Sequence, residues 1–524
     1  MSNRITDTLY QLIHSLEKSE KRNFKLYIKR SSSKEDLKII QLFDALDKLH
    51  EYDEKLLLKK LPGIEKPQLS NLKIHLYKQL LASLRLLKTS ENIDLQLNEQ
   101  LDYARILYNK GLYLQSLKIL ERAKEIAKAK YKFSYLTQVI TLEKKIETLH
   151  ITRSMQDRAE SLSAEALEVS IQIDMVARLS NLALQLYSWY IKNGHARNEK
   201  DEKIVTKFFY EKLPPEAHEQ IGFYEKLYLY QSYCWYTFIC QNFLKYYRYS
   251  QKWVDLFQEE PLMINVETGH YTKGMHNLLN AHFDLRNYEK FKITLRHFEA
   301  FSHTDIANHH DNFRIQTFVY INSAKINQHL MLGTFKEGLV LVPYVEQKLH
   351  EFALYLDRHR ILVFNYKIAT LYFGSGDYDT CIDYLQRIIN DHVDLRNDLQ
   401  CYARLLHLIA HYELGNFELI EYLAKSVYRF MARMENLTVV EEEMFKFLRN
   451  SFHVSRNKLK PELEKFLQKI KQFEKSRFET RAFAYLDIIS WVESKVFEKP
   501  MSEILREKFL SSPRRKKIYN TQTA

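Results

Sequence analysis

The stretch NYKIATLYFGSGDYDTCIDYLQRIIN, from Asn365 to Asn390, decides the fold class. Its first part carries apolar side chains at helical spacing, and the Gly-Asp dipeptide at Gly376 is typical of a turn. After the turn, Cys381, Leu385 and Ile388 recur every three or four residues, which is again the helical period. The stretch therefore predicts two helices joined by a tight turn. Because neither helix can bury its apolar face alone, each needs a neighbouring pair to pack against.

The composition extends this interpretation to the whole chain. Among 524 residues, 11 are glycine and 9 are proline, and both fractions are far below average usage. No glycine or proline occurs between Gly111 and Gly194, and the regularly spaced turns of β-proteins are missing from the sequence. The sequence predicts an all-α protein: an α-solenoid of antiparallel helix pairs with a small helical N-terminal domain and a helical C-terminal cap.

Weaker copies of the two-helix unit occur on both sides of Gly376. In Gln100–Ala127, QLDYARILYNKGLYLQSLKILERAKEIA, a small residue at Ala104 precedes the turn at Gly111. The unit resembles the tetratricopeptide repeat, in which small and aromatic residues occupy fixed offsets around such a turn. Further turns are expected at Gln241, Arg286, Gly333, Gly376 and Gly415. Their spacings of 39 to 47 residues exceed the repeat of about 34 in that family.

Four regions are expected along the chain. They are a small basic helical domain at 1–90, tetratricopeptide-like helical repeats at 91–435, a C-terminal helical cap at 436–510 and a disordered basic tail at 511–524.

The charge is concentrated at the two ends. The chain has a net charge of +12, of which +7 lies in residues 1–88 and +5 in residues 499–524, so the body between them is neutral. A uniformly basic face for nucleic acid is therefore not indicated. The four cysteines form no CxxC pair, and neither a signal peptide nor a membrane span is recognisable. The simplest expectation is a cytoplasmic protein without a membrane-spanning segment.

The resemblance to the tetratricopeptide family implies a concave groove lined by the first helix of each unit. Its ligand-facing positions carry aromatic and amide side chains with little charge, which suits an extended peptide or a flat protein face. The predicted groove residues are Tyr228, Gln231, Trp235, Phe238, Lys273, His276, Asn280, Phe283, Tyr320, Ser323, Asn327, Tyr366, Thr370 and Phe373. The aromatic block Phe223–Phe257, which contains several of them, is either core or groove.

Three functions are compatible with these features. The first is a non-catalytic scaffold, without cofactor or metal, that binds a protein or extended peptide in the groove. The second is a transcriptional regulator, in which a helix-turn-helix near residues 53–81 would present Ser70, Asn71, Lys73, His75, Lys78 and Gln79 to DNA. The third is an unrecognised enzyme, because catalytic triads are spatial rather than sequential.

The densest cluster of histidines in the sequence is a candidate metal site. His297, His303, His309, His310 and Asp311 are types of side chain that bind zinc, yet they occur in a polar connector between helical segments. We therefore expect no metal there. The sequence does not specify the partner or the oligomeric state.

Overall fold

A computed structural model describes residues 7–29, 34–61, 64, 66–150, 157–219, 222–353, 355–391, 397–434, 437–451, 456–474, 476, 478–479 and 487–511. Within these ranges the regular elements are helices, so the prediction of an all-α protein is confirmed, and many successive helices pack as pairs, as in a solenoid. None of the described helices is both long and apolar enough to cross a membrane. The predicted tail, apart from Ser511, lies outside the described residues.

The chain divides into two compact units, Met1–Ser170 and Ile171–Ala524. This division falls inside one long helix, α9, and the four sequence-based regions stay predictions. The helices up to that point are α1 (Thr8–Ser15), α2 (Lys18–Lys29), α3 (Lys34–Asp47), α4 (Glu54–Lys60), α5 (Lys66–Lys88), α6 (Ile93–Asn109), α7 (Tyr113–Ala129), α8 (Phe133–Leu149) and α9 (Arg158–Asn193).

The remaining helices belong to the second unit. They are α10 (Glu199–Lys212), α11 (Phe223–Ile239), α12 (Phe243–Glu259), α13 (Leu262–Val266), α14 (Thr268–Asp284), α15 (Tyr288–Ser302), α16 (Asp305–Asn308), α17 (Asp311–Leu332), α18 (Phe335–Leu339), α19 (Val342–Glu351), α20 (Arg358–Ser375), α21 (Tyr378–Ile389), α22 (Asn397–Glu413), α23 (Phe417–Arg433), α24 (Val439–Ser451), α25 (Arg456–Lys471), α26 (Ile488–Val496) and α27 (Met501–Ser511).

The N-terminal helices α1 to α5 share one apolar core. Asp7 caps α1, because its side chain accepts hydrogen bonds from the amides of Leu9 and Tyr10 at 3.1 Å. The same carboxylate forms an ion pair with Lys73 of α5. Side chains of all five helices meet in the interior, among them Leu9, Ile13, Phe24, Phe43, Leu46, Leu57, Leu76 and Leu80.

The turns within the helix pairs share one backbone cap. Gly376 has φ +89°, and the amide of Asp377 donates to the carbonyl of Tyr372 at 3.1 Å, which is the bond of the Schellman motif. Gln241 (φ +54°) and Arg286 (φ +52°) take the same left-handed conformation without being glycine. The corresponding bonds join the residue pairs Leu107/Leu112, Ala127/Lys132, Thr237/Asn242, His282/Asn287, His329/Thr334 and His411/Asn416.

Close packing fixes α14 in the second unit. This helix packs against α12 and α17, and α17 packs in turn against α20. A Cβ on Gly274 would lie 3.1 Å from two atoms of the indole of Trp253, so only glycine lets α14 approach this buried ring without adjustment. The approach determines where the neighbouring side chains of α14, including Lys273, can point.

The C-terminal helices return over the turns of earlier pairs. The helix α27 packs against α17 and α20, and a Cβ on Gly333 would lie only 2.6 Å from the carbonyl oxygen of Ser502. The carboxylate of Glu413 accepts a hydrogen bond from the indole of Trp491 and pairs with Lys495, which anchors α26. These contacts link the end of the chain to helices far away in the sequence.

The left-handed turn at Gly376 can be tested by substitution. A Cβ at this position meets nothing within 4 Å, so a side chain there is disfavoured by the backbone angle alone. We expect Gly376→Val to lower the free energy of unfolding by about 1–2 kcal/mol, and Gly376→Asn by less, because asparagine visits this region more readily. Urea unfolding measures both changes. An equal loss of unfolding free energy in the two variants would show that the left-handed backbone angle is not the cause of the destabilisation.

A candidate ligand-binding cavity

A cavity of about 250 Å³ opens between helices α9, α11, α14, α17 and α20, and α12 adds Tyr246 to its wall. The cavity brings together seven of the predicted groove residues, which stand on three different helices. They are Trp235, Phe238, Lys273, His276, Asn280, Tyr320 and Ser323.

Aromatic rings from α9 and α11 form one wall. The ring of Trp235 lies 4.9 Å from that of Tyr187 and 5.7 Å from that of Tyr190, between centroids. Phe238 lies 5.3 Å from Tyr190 in a tilted arrangement. Trp235 and Phe238 are partly exposed, whereas Phe223 and Trp253 of the same aromatic block are buried. The block therefore contributes to both the core and the cavity.

Lys273 stands between two aromatic rings on the α14 side. Its ammonium lies 5.5 Å from the ring centroids of both Trp235 and Tyr320, which is cation–π distance. His276 stacks on Tyr320 with centroids 4.1 Å apart and planes 15° apart. Nδ2 of Asn280 lies 3.0 Å from Nε2 of the same histidine. These contacts fix the orientation of the four side chains.

Two more basic side chains come from α20. Asp357 caps this helix by accepting a hydrogen bond from the amide of Arg360 at 2.8 Å, and it also pairs with the guanidinium Nε at 3.3 Å. Two helical turns further along α20, the ammonium of Lys367 donates to the side-chain oxygen of Asn327 and lies 3.5 Å from the carbonyl oxygen of Ser323. Lys367 is thus bound by neutral acceptors of α17.

The basic side chains act on their titratable neighbours. Burial, together with the charges of Lys273, Lys367 and Arg360, holds the pKa of His276 well below its usual range, so this imidazole is neutral at pH 7. Burial alone would raise the pKa of Tyr320, but the charges of Lys273 and Arg360 contribute to lowering it overall. The contribution of the cations to both pKa shifts indicates a positive electrostatic potential in the cavity.

Lys367, which lines the cavity, and Asp284, which does not, influence each other. Burial lowers the pKa of Lys367 to about 7, although the charge of Asp284 opposes the shift. Burial likewise raises the pKa of Asp284 to about 7, opposed by the charges of Arg286 and Lys367. Among the described residues, Oδ2 of Asp284 is buried and accepts no hydrogen bond. Desolvation of both groups therefore outweighs their mutual attraction.

Several predicted groove residues lie outside this cavity on α11 and α14. Nε2 of Gln231 lies 2.9 Å from Nδ1 of His270, and the ring of Tyr228 meets the same histidine edge-on at 5.7 Å. The ring of Phe283 lies 5.1 Å from the guanidinium carbon of Arg286.

The remaining predicted positions lie behind the wall or in the core. Asn327 is buried, and its side-chain oxygen accepts the hydrogen bond from Lys367. Tyr366 and Phe373 are 5% and 3% exposed and belong to the apolar core of the second unit. The hydroxyl of Thr370 donates a hydrogen bond to the carbonyl of Tyr366 within its own helix. Binding by any of the predicted groove residues stays a prediction.

The cavity also contains residues that the sequence did not single out. On α20 the lining face carries Arg360, Val363, Phe364 and Lys367, at offsets of three, four and seven residues. This spacing is visible in the sequence. Two basic residues seven positions apart, on one face of a mostly apolar helix, could have indicated that this face lines a site. On α9, Tyr187, Tyr190 and Ile191 were missed because that region fits the two-helix unit poorly.

Comparisons with known proteins do not assign the chain to a family. It matches no protein-family model and no curated protein sequence. In the described part of the chain, no group of three or more His, Cys, Asp or Glu side chains is arranged to hold a metal ion.

The desolvation of Lys367 predicts a pH dependence of stability. Its pKa is about 7 in the folded chain and 10.5 when unperturbed, so the unfolded state binds more protons between these values. Stability should therefore rise with pH in that interval. We expect the free energy of unfolding of the native chain, relative to that of Lys367→Met, to increase from about pH 8 to about pH 10. Urea unfolding across this range is the measurement, and a constant difference would contradict the burial of the ammonium.

Proposed function

We propose that the chain is a non-catalytic helical scaffold that binds a segment of a partner protein, with the cavity between α9, α11, α14, α17 and α20 as the anchor site. The supporting observation is the convergence of Trp235, Tyr320, Lys273 and Lys367 from four helices on one opening. Burying polar and charged groups is costly, so their concentration at one cavity favours a binding role over a packing role.

The size of the cavity favours an anchor side chain over a whole small molecule. Its volume of about 250 Å³ is below the range of roughly 300–1,000 Å³ for small-molecule sites. One large side chain of a bound segment would fill it, and the remainder of the segment would lie along the helix surfaces outside. Aromatic rings and amides are suited to this use, because they offer apolar area and hydrogen bonds to a peptide.

The protonation states in the cavity argue against a nucleophilic enzyme. Burial raises the pKa of the Cys234 thiol to about 12, so it is no thiolate nucleophile at neutral pH. His276, with its strongly lowered pKa, is a weak base.

The DNA-binding alternative has less support. The helix α5, which would serve as the recognition helix, uses Lys73 to pair with Asp7 and to donate to the hydroxyl of Tyr52 at 2.9 Å. Its exposed surface includes the apolar side chains Ile74 and Leu81. Of the two lysines predicted to contact DNA, Lys78 is exposed, whereas Lys73 is held by Asp7 and Tyr52 and is less available to a phosphate.

The proposal is tested with two aromatic residues of neighbouring helices. Peptides are selected on the native chain from a random synthetic library that contains phosphorylated as well as unmodified side chains, and their affinity is measured for Trp235→Ala and for Phe283→Ala. Trp235 lines the cavity and Phe283 does not, so we expect a roughly thirtyfold loss in the first variant and little change in the second.

Thermal unfolding serves as the control for folding. Melting temperatures close to that of the native chain would assign the loss to binding. Failure to select any peptide, or equal affinities for the two variants, would contradict the proposed site. A large drop in the melting temperature of Trp235→Ala would instead assign this ring to the core.

A further inference from the structure

The cavity carries more positive than negative charge. Three basic side chains line it, Lys273, Arg360 and Lys367, and its acidic lining residue is Asp357. That carboxylate is already engaged, because it caps α20 and pairs with Arg360. Two ammonium groups are left without an acidic partner on the wall.

The side chains in direct contact with the two ammonium ions are neutral. Lys273 lies between the rings of Trp235 and Tyr320, and Lys367 donates to Asn327. No ion pair joins either ammonium to a carboxylate among the described residues. Such partners orient a cation but leave its charge uncompensated, which is an expensive arrangement unless an anion is bound.

Building on the proposed function, we propose that the anchor of the bound segment is a phosphate monoester, a phosphorylated side chain whose phosphoryl group lies between Lys273, Lys367 and Arg360. A phosphate monoester carries a charge of about −1.5 to −2 at pH 7, which matches Lys273 together with the protonated form of Lys367. A carboxylate would compensate only one of them. Arg360 adds a planar donor of the kind that binds phosphoryl oxygens.

The acidic group that acts on Lys367 does not remove this excess. Asp284 forms no ion pair with Lys367 among the described residues, and burial raises its pKa to about 7. A phosphoryl dianion beside Lys367 favours the charged ammonium and the protonated, neutral carboxyl group of Asp284. The bound anion then faces two lysines whose charge is not cancelled.

The opposite wall favours an aromatic carrier for the phosphate. The rings of Tyr187, Trp235 and Phe238 offer an apolar surface beside the cations. A phenyl ring bearing the phosphate would pack against these rings while its oxygens reach the ammonium groups. Phenyl phosphate is therefore the smallest probe that contains both parts of the predicted anchor.

The test compares phenyl phosphate with phenyl sulfate by isothermal titration calorimetry on the full chain. The two probes have similar shape, but phenyl sulfate carries one negative charge and phenyl phosphate close to two. We expect phenyl phosphate to bind roughly tenfold more tightly or better, because its second negative charge strengthens the attraction to the two lysines. Equal affinities, or no binding of phenyl phosphate, would overturn the proposal.

Variants assign the binding to the cavity. Lys273→Met and Lys367→Met should each remove most of the preference for phosphate over sulfate. Lys290→Met is the matched control, because this lysine also makes a cation–π contact, 5.2 Å from the ring of Tyr247, but lies outside the cavity. A preference that survives both cavity variants, with folding verified by melting, would place the phosphate elsewhere and contradict the proposal.

A blocked pentapeptide with a central phosphotyrosine distinguishes a segment from a free organic phosphate. The proposal predicts that this peptide binds at least as tightly as phenyl phosphate, and weaker binding would contradict it. The two proposals can fail separately. Peptide binding that depends on Trp235 without any phosphate preference would refute the anionic anchor and leave the groove in place, whereas no binding of either kind would refute both.

Discussion

The left-handed turn between paired helices is the constraint on which the second unit depends. Each turn reverses the chain within three residues, and the amide that closes the Schellman bond satisfies a carbonyl at the helix end. At Gln241 and Arg286 the chain adopts this conformation without glycine, at a cost in backbone energy. Packing of the paired helices must therefore offset that cost at those two turns.

The succession of such pairs places one face of several helices around a common space. Because α14 packs against α17 and α17 against α20, side chains more than a hundred residues apart in sequence meet at the cavity. The core beneath is apolar, whereas Lys273, His276, Arg360 and Lys367 stand together at this wall. The burial of Lys367 and Asp284 is unfavourable for folding taken alone, which is the pattern expected where a site is retained for binding.

Much of this architecture could be predicted from the sequence, because helix periods and turn residues are local signals. Turns were predicted at Gln241 and Arg286 without a glycine, and the backbone is left-handed at both positions. On α14, counting back from the turn identified Lys273, His276 and Asn280 correctly as neighbours on one face. Local periodicity is sufficient to predict which residues share a face where the helix has the length expected for the two-helix unit.

The rest depended on contacts that local patterns do not contain. On α20 the same count selected Tyr366 and Phe373, which are buried, because the rotation of this helix is set by its packing against α17. The return of α27 over the turn at Gly333 is a contact between segments far apart in sequence. The charge of Asp284 on α14 likewise acts on Lys367 on α20, and no sequence spacing specifies the relative position of these two helices.

Five helices enclose a cavity in which Lys367 is desolvated and, among the described residues, forms no ion pair with a carboxylate. The most direct test is NMR titration of the chain labelled with carbon-13 at the lysine Cε, with the Lys367 signal assigned by its loss in Lys367→Met. We expect this signal to titrate with a pKa of about 7. A pKa near the unperturbed 10.5 would show a hydrated ammonium and contradict the account.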